Sequence, residues 1–316
     1  MPDSTMTTVR GPAAGRLSPA VRAATGRRHA RRPALTLFAL PSIALVALFF
    51  LIPFLANVVF AFVRWTGYSD TISWSGLTNF ALLNQLGILG HAIRITVIYA
   101  VISMVVQNTV GLGLATALQR TNRANTIFRS IFFIPVLMSP LAAGYIWAAV
   151  LSPNGPANAF LSAVLPGTYH YAYLGHDVSA LVTVACIDAW KWSGLATLVY
   201  IAGLNRIPAQ LTEAADIDGA GSWRRFWSIK FPLLAPAVTF NVVITLVGAF
   251  SALDAVFATT GGGPGDATTL LNVALYNQYG QSYFGQASAL GLVVTLLVVV
   301  TAVPLLGWLR RREVQM

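Results

Sequence analysis

The chain has 316 residues, of which 56% are hydrophobic and only 9% are charged. A soluble domain needs more polar side chains than this to cover its surface, so the composition indicates a protein surrounded by lipid. The formal net charge of +10 is also compatible with a nucleic-acid partner, and the positions of the charges must decide between the two. Because Cys186 is the chain's only cysteine, an intramolecular disulfide and a cysteine-based metal site are excluded.

The N-terminal segment, residues 1–33, is rich in Ala, Pro, Thr and Arg and has no apolar periodicity. Such a composition predicts a disordered basic tail. The uncharged stretch that follows, residues 34–63, is longer than the apolar core of a signal peptide and does not end in a small-residue cleavage site. We therefore expect a retained spanning helix and a membrane domain over residues 34–316.

Apolar stretches long enough to cross a hydrocarbon core about 30 Å thick recur along this domain. They lie near residues 35–62, 95–118, 127–150, 179–204, 234–257 and 287–309. Backbone groups cannot stay unpaired in hydrocarbon, and the alternating pattern of a β-barrel is absent from the sequence, so each stretch is predicted to be a helix. The predicted fold class is an all-α integral membrane protein with six transmembrane helices.

The orientation follows from the distribution of Lys and Arg. Seventeen of the 20 precede the first span or follow the second, fourth and sixth spans. The intervening loops cover residues 64–94, 151–178 and 258–286. These loops hold only Arg64 and Arg94, so the positive-inside rule places both termini and the long loop 205–232 in the cytoplasm. The rule also explains the net charge, which leaves no case for a nucleic-acid partner.

The long cytoplasmic loop is predicted to form a helix, a turn and a second helix. Pro208 suits the first position of a helix, and Gly219 suits the position just past a helix end. Ser222 can then cap a second helix over residues 223–230, which Pro232 limits.

The first of these helices has a low-profile face. Ala214 and Ala215 allow close approach of another backbone, and Glu213, Asp216 and Asp218 surround them with polar groups. Docking of another protein is one interpretation of this surface. An ordinary amphipathic loop lying on its own protein is the alternative.

A spaced motif runs through this loop. It reads Glu213-Ala214-Ala215, three residues, Gly219, nine residues, Ile229, one residue and Phe231-Pro232. The motif resembles the signature of the permeases of binding-protein-dependent ABC importers, Glu-Ala-Ala, three residues, Gly, nine residues, Ile, one residue, Leu-Pro. Only Phe231, in place of Leu, departs from it. The surrounding stretch 202–220 is similar to the carbohydrate-uptake branch of that family, the maltose and glycerol-phosphate permeases.

The resemblance extends along the chain in the family's order. It covers Leu77 to Phe80, Phe128 to Pro135, Trp147 with Asn154 and Gly155, Trp190 to Trp192 and Thr260 to Pro264. It implies a type I ABC importer permease fold in the inner membrane and transport of a sugar or sugar derivative. It also implies a coupling helix that sits in a groove of an ATPase subunit. The implied ATPase-coupling residues are Glu213, Ala214, Ala215, Asp218, Gly219, Ala220 and Pro232.

The partners implied by the resemblance are a second permease in a heterodimer, two ATPase subunits and an extracytoplasmic solute-binding protein. Lys191 and Lys230 are the only lysines, and neither belongs to a P-loop motif that would hold ATP phosphates. The chain is therefore predicted to be a non-catalytic subunit without a cofactor, and ATP and Mg are expected to bind to the partner ATPase.

Several polar residues fall inside predicted spans. Asp188 and Lys191 are three residues apart, so on a helix they share a face and can neutralise each other, with Trp190 between them. The group either lines a substrate path or fixes helix packing, and the sequence leaves both open. Asn241 and Asp254 are further substrate-path candidates, although interhelical hydrogen bonding is an alternative for them.

Two other classes of protein fit less well. An ion-coupled secondary transporter needs an intramembrane carboxylate relay, for which only Asp188 and Asp254 are available. A membrane enzyme needs a catalytic cluster, and none is visible. The loop residues His170, His176 and Asp177 lack metal-ligand spacing, so no metal site is predicted. The residues do not choose between glycerol phosphate and an oligosaccharide as the solute.

Overall fold

The computed structural model describes residues 40–68 and 71–313, and the predicted tail over residues 1–33 lies outside this range. The helices are α1 (Leu40–Phe60), α2 (Thr78–Gln85), α3 (Ile88–Leu118), α4 (Arg123–Leu137), α5 (Pro140–Val150), α6 (Pro156–Val164), α7 (Asp177–Leu204), α8 (Ala209–Ile217), α9 (Ser222–Leu233), α10 (Ala235–Phe250), α11 (Asp254–Thr259), α12 (Leu271–Gly280) and α13 (Phe284–Arg310). The strands β1 (Val63–Arg64) and β2 (Ser73–Trp74) form an antiparallel hairpin. The chain divides into two units at Ala56 and Asn57, within α1.

The core of the second unit lies between α3, α7 and α10. At one end, Ile95 of α3 packs with Leu181 of α7 and Phe250 of α10 in a buried cluster. At the other end, a second cluster joins the last turns of α3 and α7 to Leu234, directly before α10. Helices α3 and α7 therefore run parallel, and α10 runs antiparallel to both. We call these two ends the α3 N-terminal end and the α8 end, since α8 follows the last turn of α7.

Three of the described helices, α1, α3 and α13, are both long and apolar enough to cross a membrane. The number rises to five if two bent pairs, α4 with α5 and α9 with α10, each form one span. Helix α7 has 28 residues and covers the predicted span 179–204, but its middle carries Asp188 and Lys191 and it does not pass the same test of apolarity. The described residues thus support a multi-span helical protein without reaching the predicted six.

The prediction of one continuous helix over residues 127–150 is wrong. Helices α4 and α5 meet at an angle of 101°. The break contains Met138 and Ser139, whose ψ angles of 148° and 137° are extended rather than helical. Pro140 explains the second of these, because a proline disfavours helical geometry in the residue before it.

The predicted span 234–257 also differs from the structure. Helix α10 ends at Phe250, and a separate short helix, α11, begins at Asp254. Helix α3 begins at Ile88, seven residues before the predicted span 95–118, and α13 extends the predicted span 287–309 at both ends.

Short elements fill the loops at the α3 N-terminal end. Asn79 of α2 is 3% exposed, and its side chain donates hydrogen bonds of 2.9 Å to the carbonyl oxygens of Ala61 and Val63. Helix α12 is joined to α3 by a 2.9 Å bond from the Leu271 amide to Thr96 Oγ1. These buried bonds fix the hairpin and α12 against the core.

Candidate functional site

The predicted helix-turn-helix is present, and its turn is set by local hydrogen bonds. Helix α8 ends at Ile217, and Gly219 has a φ of +71°, as expected just past a helix end. The Gly219 amide donates to Asp216 O (3.1 Å) and the Ala220 amide donates to Ala215 O (2.9 Å). This pair of bonds is a Schellman motif, which satisfies the last carbonyl groups of α8.

Most of the predicted coupling residues lie on one exposed tip. Glu213, Ala214, Asp218 and Gly219 are exposed, whereas Ala215 is buried at 5% exposure and Ala220 is half-buried. The remaining one, Pro232, lies near the end of α9.

Large apolar side chains are exposed beside this tip. Ile217 is 88% exposed and Leu211 is 43% exposed on α8, and Trp223 at the start of α9 is 76% exposed. Large apolar side chains that the chain itself leaves uncovered indicate a surface for another molecule.

The two helices of this loop differ in three details from the prediction. Helix α9 is capped by Gly221, Ser222 is its first residue, and the Ser222 side chain forms no capping bond. Pro208 likewise precedes α8 as its cap instead of occupying its first position. Pro232 does not end α9, which continues to Leu233 after a π turn over Phe226–Lys230. The wider turn precedes the proline, which cannot donate the hydrogen bond of a regular α-helix.

Two contacts hold α9 in place. Arg225 of α9 forms an ion pair with Asp216 of α8. Lys230 Nζ donates a 3.3 Å hydrogen bond to Gln119 Oε1, at the end of α3. Burial lowers the pKa of Lys230, and the neighbouring Arg225 charge lowers it further. The exposed tip of α8 is therefore connected through α9 to the last turn of α3.

Within α7, Asp188 and Lys191 make no direct ion pair, although the charge of each still acts on the other. Lys191 is 2% exposed, and its Nζ donates to Val136 O (3.4 Å) near the end of α4 and lies 3.9 Å from the centre of the Trp192 ring. The C-terminal end of a helix carries partial negative charge, which attracts the ammonium group. Lys191 thus contacts α4 beside the break between α4 and α5.

The remaining substrate-path candidates, Trp190, Asn241 and Asp254, have no hydrogen-bonding or ring-stacking partner in common among the described residues. Trp190 packs edge to face against Trp147 of α5, with 5.3 Å between ring centres. Asn241 is 1% exposed and donates a 3.1 Å bond to Ala196 O of α7, while Asp254 is exposed at the start of α11. Over residues 40–68 and 71–313, no hydrogen bond or ion pair joins any two of Asp188, Trp190, Lys191, Asn241 and Asp254.

Sequence reasoning missed two polar groups. Tyr200 lies in an apolar run of α7, and its hydroxyl donates a 2.6 Å bond to Asn108 Oδ1 of α3. Gln278 of α12 is 7% exposed and lines a cavity at the α3 N-terminal end. Neither residue belongs to a recognisable motif. Within the described part of the chain, no group of three His, Cys, Asp or Glu side chains is arranged to hold a metal ion.

Comparison with known proteins gives concordant matches. The sequence pattern of the family described as "Binding-protein-dependent transport system inner membrane component" matches residues 107–313. The multiple sugar-binding transport system permease protein MsmF of Streptococcus mutans is 29% identical, with 84% of this chain and 91% of MsmF covered. The sn-glycerol-3-phosphate transport system permease protein UgpA of Brucella abortus is 34% identical, with 82% of this chain and 88% of UgpA covered.

Among solved structures, the fold matches a chain of a bacterial alginate ABC transporter in complex with an alginate pentasaccharide-bound periplasmic protein. The TM-score is 0.74 at 21% identity, over 87% of this chain and 93% of that one. The likeness in fold therefore extends well beyond the segment that matches the family pattern.

Proposed function

The chain belongs to the family of binding-protein-dependent transport system inner membrane components, and from this premise we propose that it is the permease subunit of an ATP-driven saccharide importer. It is a multi-pass membrane protein. We propose six crossings with both termini in the cytoplasm. The parallel course of α3 and α7 supports this arrangement, because the intervening pair α4 and α5 must then return the chain across the bilayer.

The observation that carries the proposal is the exposed tip of α8. Glu213 and Ala214 face solvent, and Ile217, at 88% exposure, contributes an apolar surface that the chain does not cover. We propose that this tip docks into a groove of a separate ATPase subunit, and that Glu213 pairs with a cation there. The Schellman turn and the contacts of α9 make the tip rigid enough to transmit a movement of that subunit to α3.

The energy source is assigned to the partner because neither lysine of the chain lies in a P-loop. ATP binding would close two ATPase subunits and move the docked helices, which would turn the bundle from inward-facing to outward-facing. Delivery of solute by an extracytoplasmic binding protein would coincide with the outward-facing state. Hydrolysis would then reset the bundle.

The cargo and the remaining partners are assigned from the relatives. MsmF is named for multiple sugars, and the structural match is a transporter in complex with a saccharide-bound periplasmic protein. We propose that this chain likewise receives a saccharide from a binding protein and, as the family resemblance implies, that it pairs with a second permease within the membrane.

A cysteine cross-linking experiment tests the docking of α8. In a Cys186→Ser background, Ala214→Cys places the only thiol on the exposed tip, and Asn154→Cys places it in the loop between α5 and α6 as the matched control. The complex is purified from native membranes through a tag on this chain. We expect a cross-link from position 214 to a nucleotide-binding subunit, identified by mass spectrometry, and none from position 154.

Labelling of intact cells with a membrane-impermeant maleimide shows which side of the membrane each of the two positions faces. Position 154 should react and position 214 should not. Reaction at position 214 from outside, or the absence of any ATPase cross-link there, would overturn the proposal.

A further inference from the structure

A polar cavity of about 400 Å³ lies at the α3 N-terminal end, opposite α8. It is formed by the junction of α2 and α3, the loop before α12, and α12 itself. Its polar lining consists of His91, Asp266, Thr269, Asn277, Gln278 and Gln281. Small-molecule sites in proteins have volumes of roughly 300–1,000 Å³ with a few convergent polar groups, and this cavity lies within that range.

Gln278 gives the strongest indication of a ligand. The residue is 7% exposed, it lines the cavity, and its carboxamide forms no hydrogen bond with any residue in the described part of the chain. Because Gln278 lines the cavity, its carboxamide is open to a molecule bound there. The carboxamide offers both donors and an acceptor, so it is suited to a hydroxyl group, which also donates and accepts.

His91 and Asp266 complete one wall. His91 Nε2 lies 2.8 Å from the carbonyl oxygen of Asp266. A carbonyl oxygen only accepts, so Nε2 carries the proton, and Nδ1 accepts when the ring is neutral. The Asp266 carboxylate accepts a 3.2 Å bond from Thr269 Oγ1, and its second oxygen is an additional acceptor.

Helix α12 supplies the other wall. Asn277 and Gln278 lie in the last turn of this helix, and Gln281 directly follows its end. Three carboxamides, a carboxylate and an imidazole thus converge on one cavity without a lysine or arginine among its described lining residues. Hydroxyl groups satisfy such a set, whereas an anionic ligand would face Asp266 without a compensating cation.

We propose that this cavity is an entry site for neutral saccharides at the end of the permease opposite the ATPase. That the cavity serves entry rests on the proposed function, in which solute is imported and therefore arrives at this end first. The inference adds a substrate class, because it favours neutral saccharides over phosphorylated or uronic-acid solutes. Gln278 and Asp266 are the residues proposed to set this preference.

Ligand-observed saturation-transfer NMR on the full chain in nanodiscs, prepared without glycosidic detergent, tests the site. The probes are maltotriose, which is neutral, and a uronic-acid trisaccharide, which is anionic. We expect binding of maltotriose in preference to the anionic probe. Gln278→Leu should weaken maltotriose binding about fivefold, the effect of one lost hydrogen bond. Gln85→Leu, a change to an exposed glutamine of α2 outside the cavity, is the matched control.

Asp266→Asn isolates the charge, because asparagine keeps the acceptor for Thr269. This variant should lower the ratio of maltotriose affinity to the affinity for the anionic probe. If Gln278→Leu lowers the thermal stability of the chain, Gln278→Glu replaces it as the test variant, because it keeps the size of the side chain. The added negative charge should reduce binding of the anionic probe further.

Equal binding of both probes, or maltotriose binding that ignores both Gln278 and Asp266, would overturn the inference. So would a Gln278→Leu variant that binds maltotriose normally but no longer binds the binding protein, since the cavity would then receive a protein side chain. These measurements need no ATPase, so their failure leaves the proposed function standing. Conversely, a failed cross-link at α8 leaves the binding result intact.

Discussion

At Gly219, after α8, nothing lies within 4 Å of the position that a Cβ atom would occupy, whereas at Gly194, in the middle of α7, that position overlaps the main chain of Phe132 and Phe133. The first glycine serves a turn with a φ of +71° on an exposed tip. The second allows α4 to approach α7 closely. The α8 tip leaves space for another molecule, whereas the space beside Gly194 is occupied by the backbone of α4.

The difference separates two kinds of functional constraint. The α8 tip is held by bonds between residues close in sequence, and it keeps apolar surface free. The middle of α7 depends on contacts with distant residues, such as Lys191 with Val136, 55 positions away. Substitutions at the tip should change coupling, whereas substitutions in α7 should change folding.

The largest effect is expected at Gly194. Gly194→Ala would place a methyl group on the carbonyl oxygen of Phe132, and overpacking of this kind costs about 3 kcal/mol at its upper end. Gly113→Ala in α3 is the matched control, because nothing lies within 4 Å of a Cβ there. Unfolding in mixed micelles should show a lower stability for the first variant only. Equal stability of the two would show that α4 and α7 are not packed as described.

The second effect is a loss of coupling at Gly219. Gly219→Val adds bulk and strains the positive φ, while Gly219→Asn adds bulk but tolerates that backbone conformation. We expect both to weaken docking to the ATPase about tenfold, which corresponds to about 1.4 kcal/mol, and thereby to reduce uptake per ATP hydrolysed. Only the valine variant should unfold more easily. The measurements are uptake and ATP hydrolysis in proteoliposomes. Normal uptake by Gly219→Asn would mean that Gly219 serves only the turn.

The α8 region was predictable because its signals are local. Pro208 and Gly219 bound one short helix, and turn residues act through their own φ and ψ angles. The break between α4 and α5 was missed, although Pro140 supplies a local signal for it. That prediction used only the length of the apolar run, which is sufficient to span the membrane.

The contacts within the bundle were less predictable. The spacing of Asp188 and Lys191 allows an ion pair on one helix face, but it does not show that the end of α4 offers Lys191 a carbonyl group instead. Gln278 gave no signal because its importance comes from a cavity that α12 and α3 form together. Only the tertiary structure brings such residues into one place.

A smaller effect is expected at Asn241. Its amide is buried and bonded to Ala196 O, so Asn241→Leu should lower the free energy of unfolding by about 1 kcal/mol through the loss of that hydrogen bond. The apparent KM for uptake should not change, because the amide is already engaged with α7. Asn84→Leu, at an exposed position of α2, is the control. A changed KM with unchanged stability would instead support a place for Asn241 in the substrate path.

The smallest effect is expected at the ion pair between Arg225 and Asp216. The Asp216 side chain is 58% exposed, so solvent screens the pair and Arg225→Gln should cost only about 0.5 kcal/mol. Because the pair connects α8 to α9, the variant should show a modest loss of coupling in proteoliposomes at low salt. Wild type and variant should converge as the ionic strength rises, since exposed charges are screened. A difference that persists in high salt would mean that Arg225 contributes through the packing of α9 rather than through its charge.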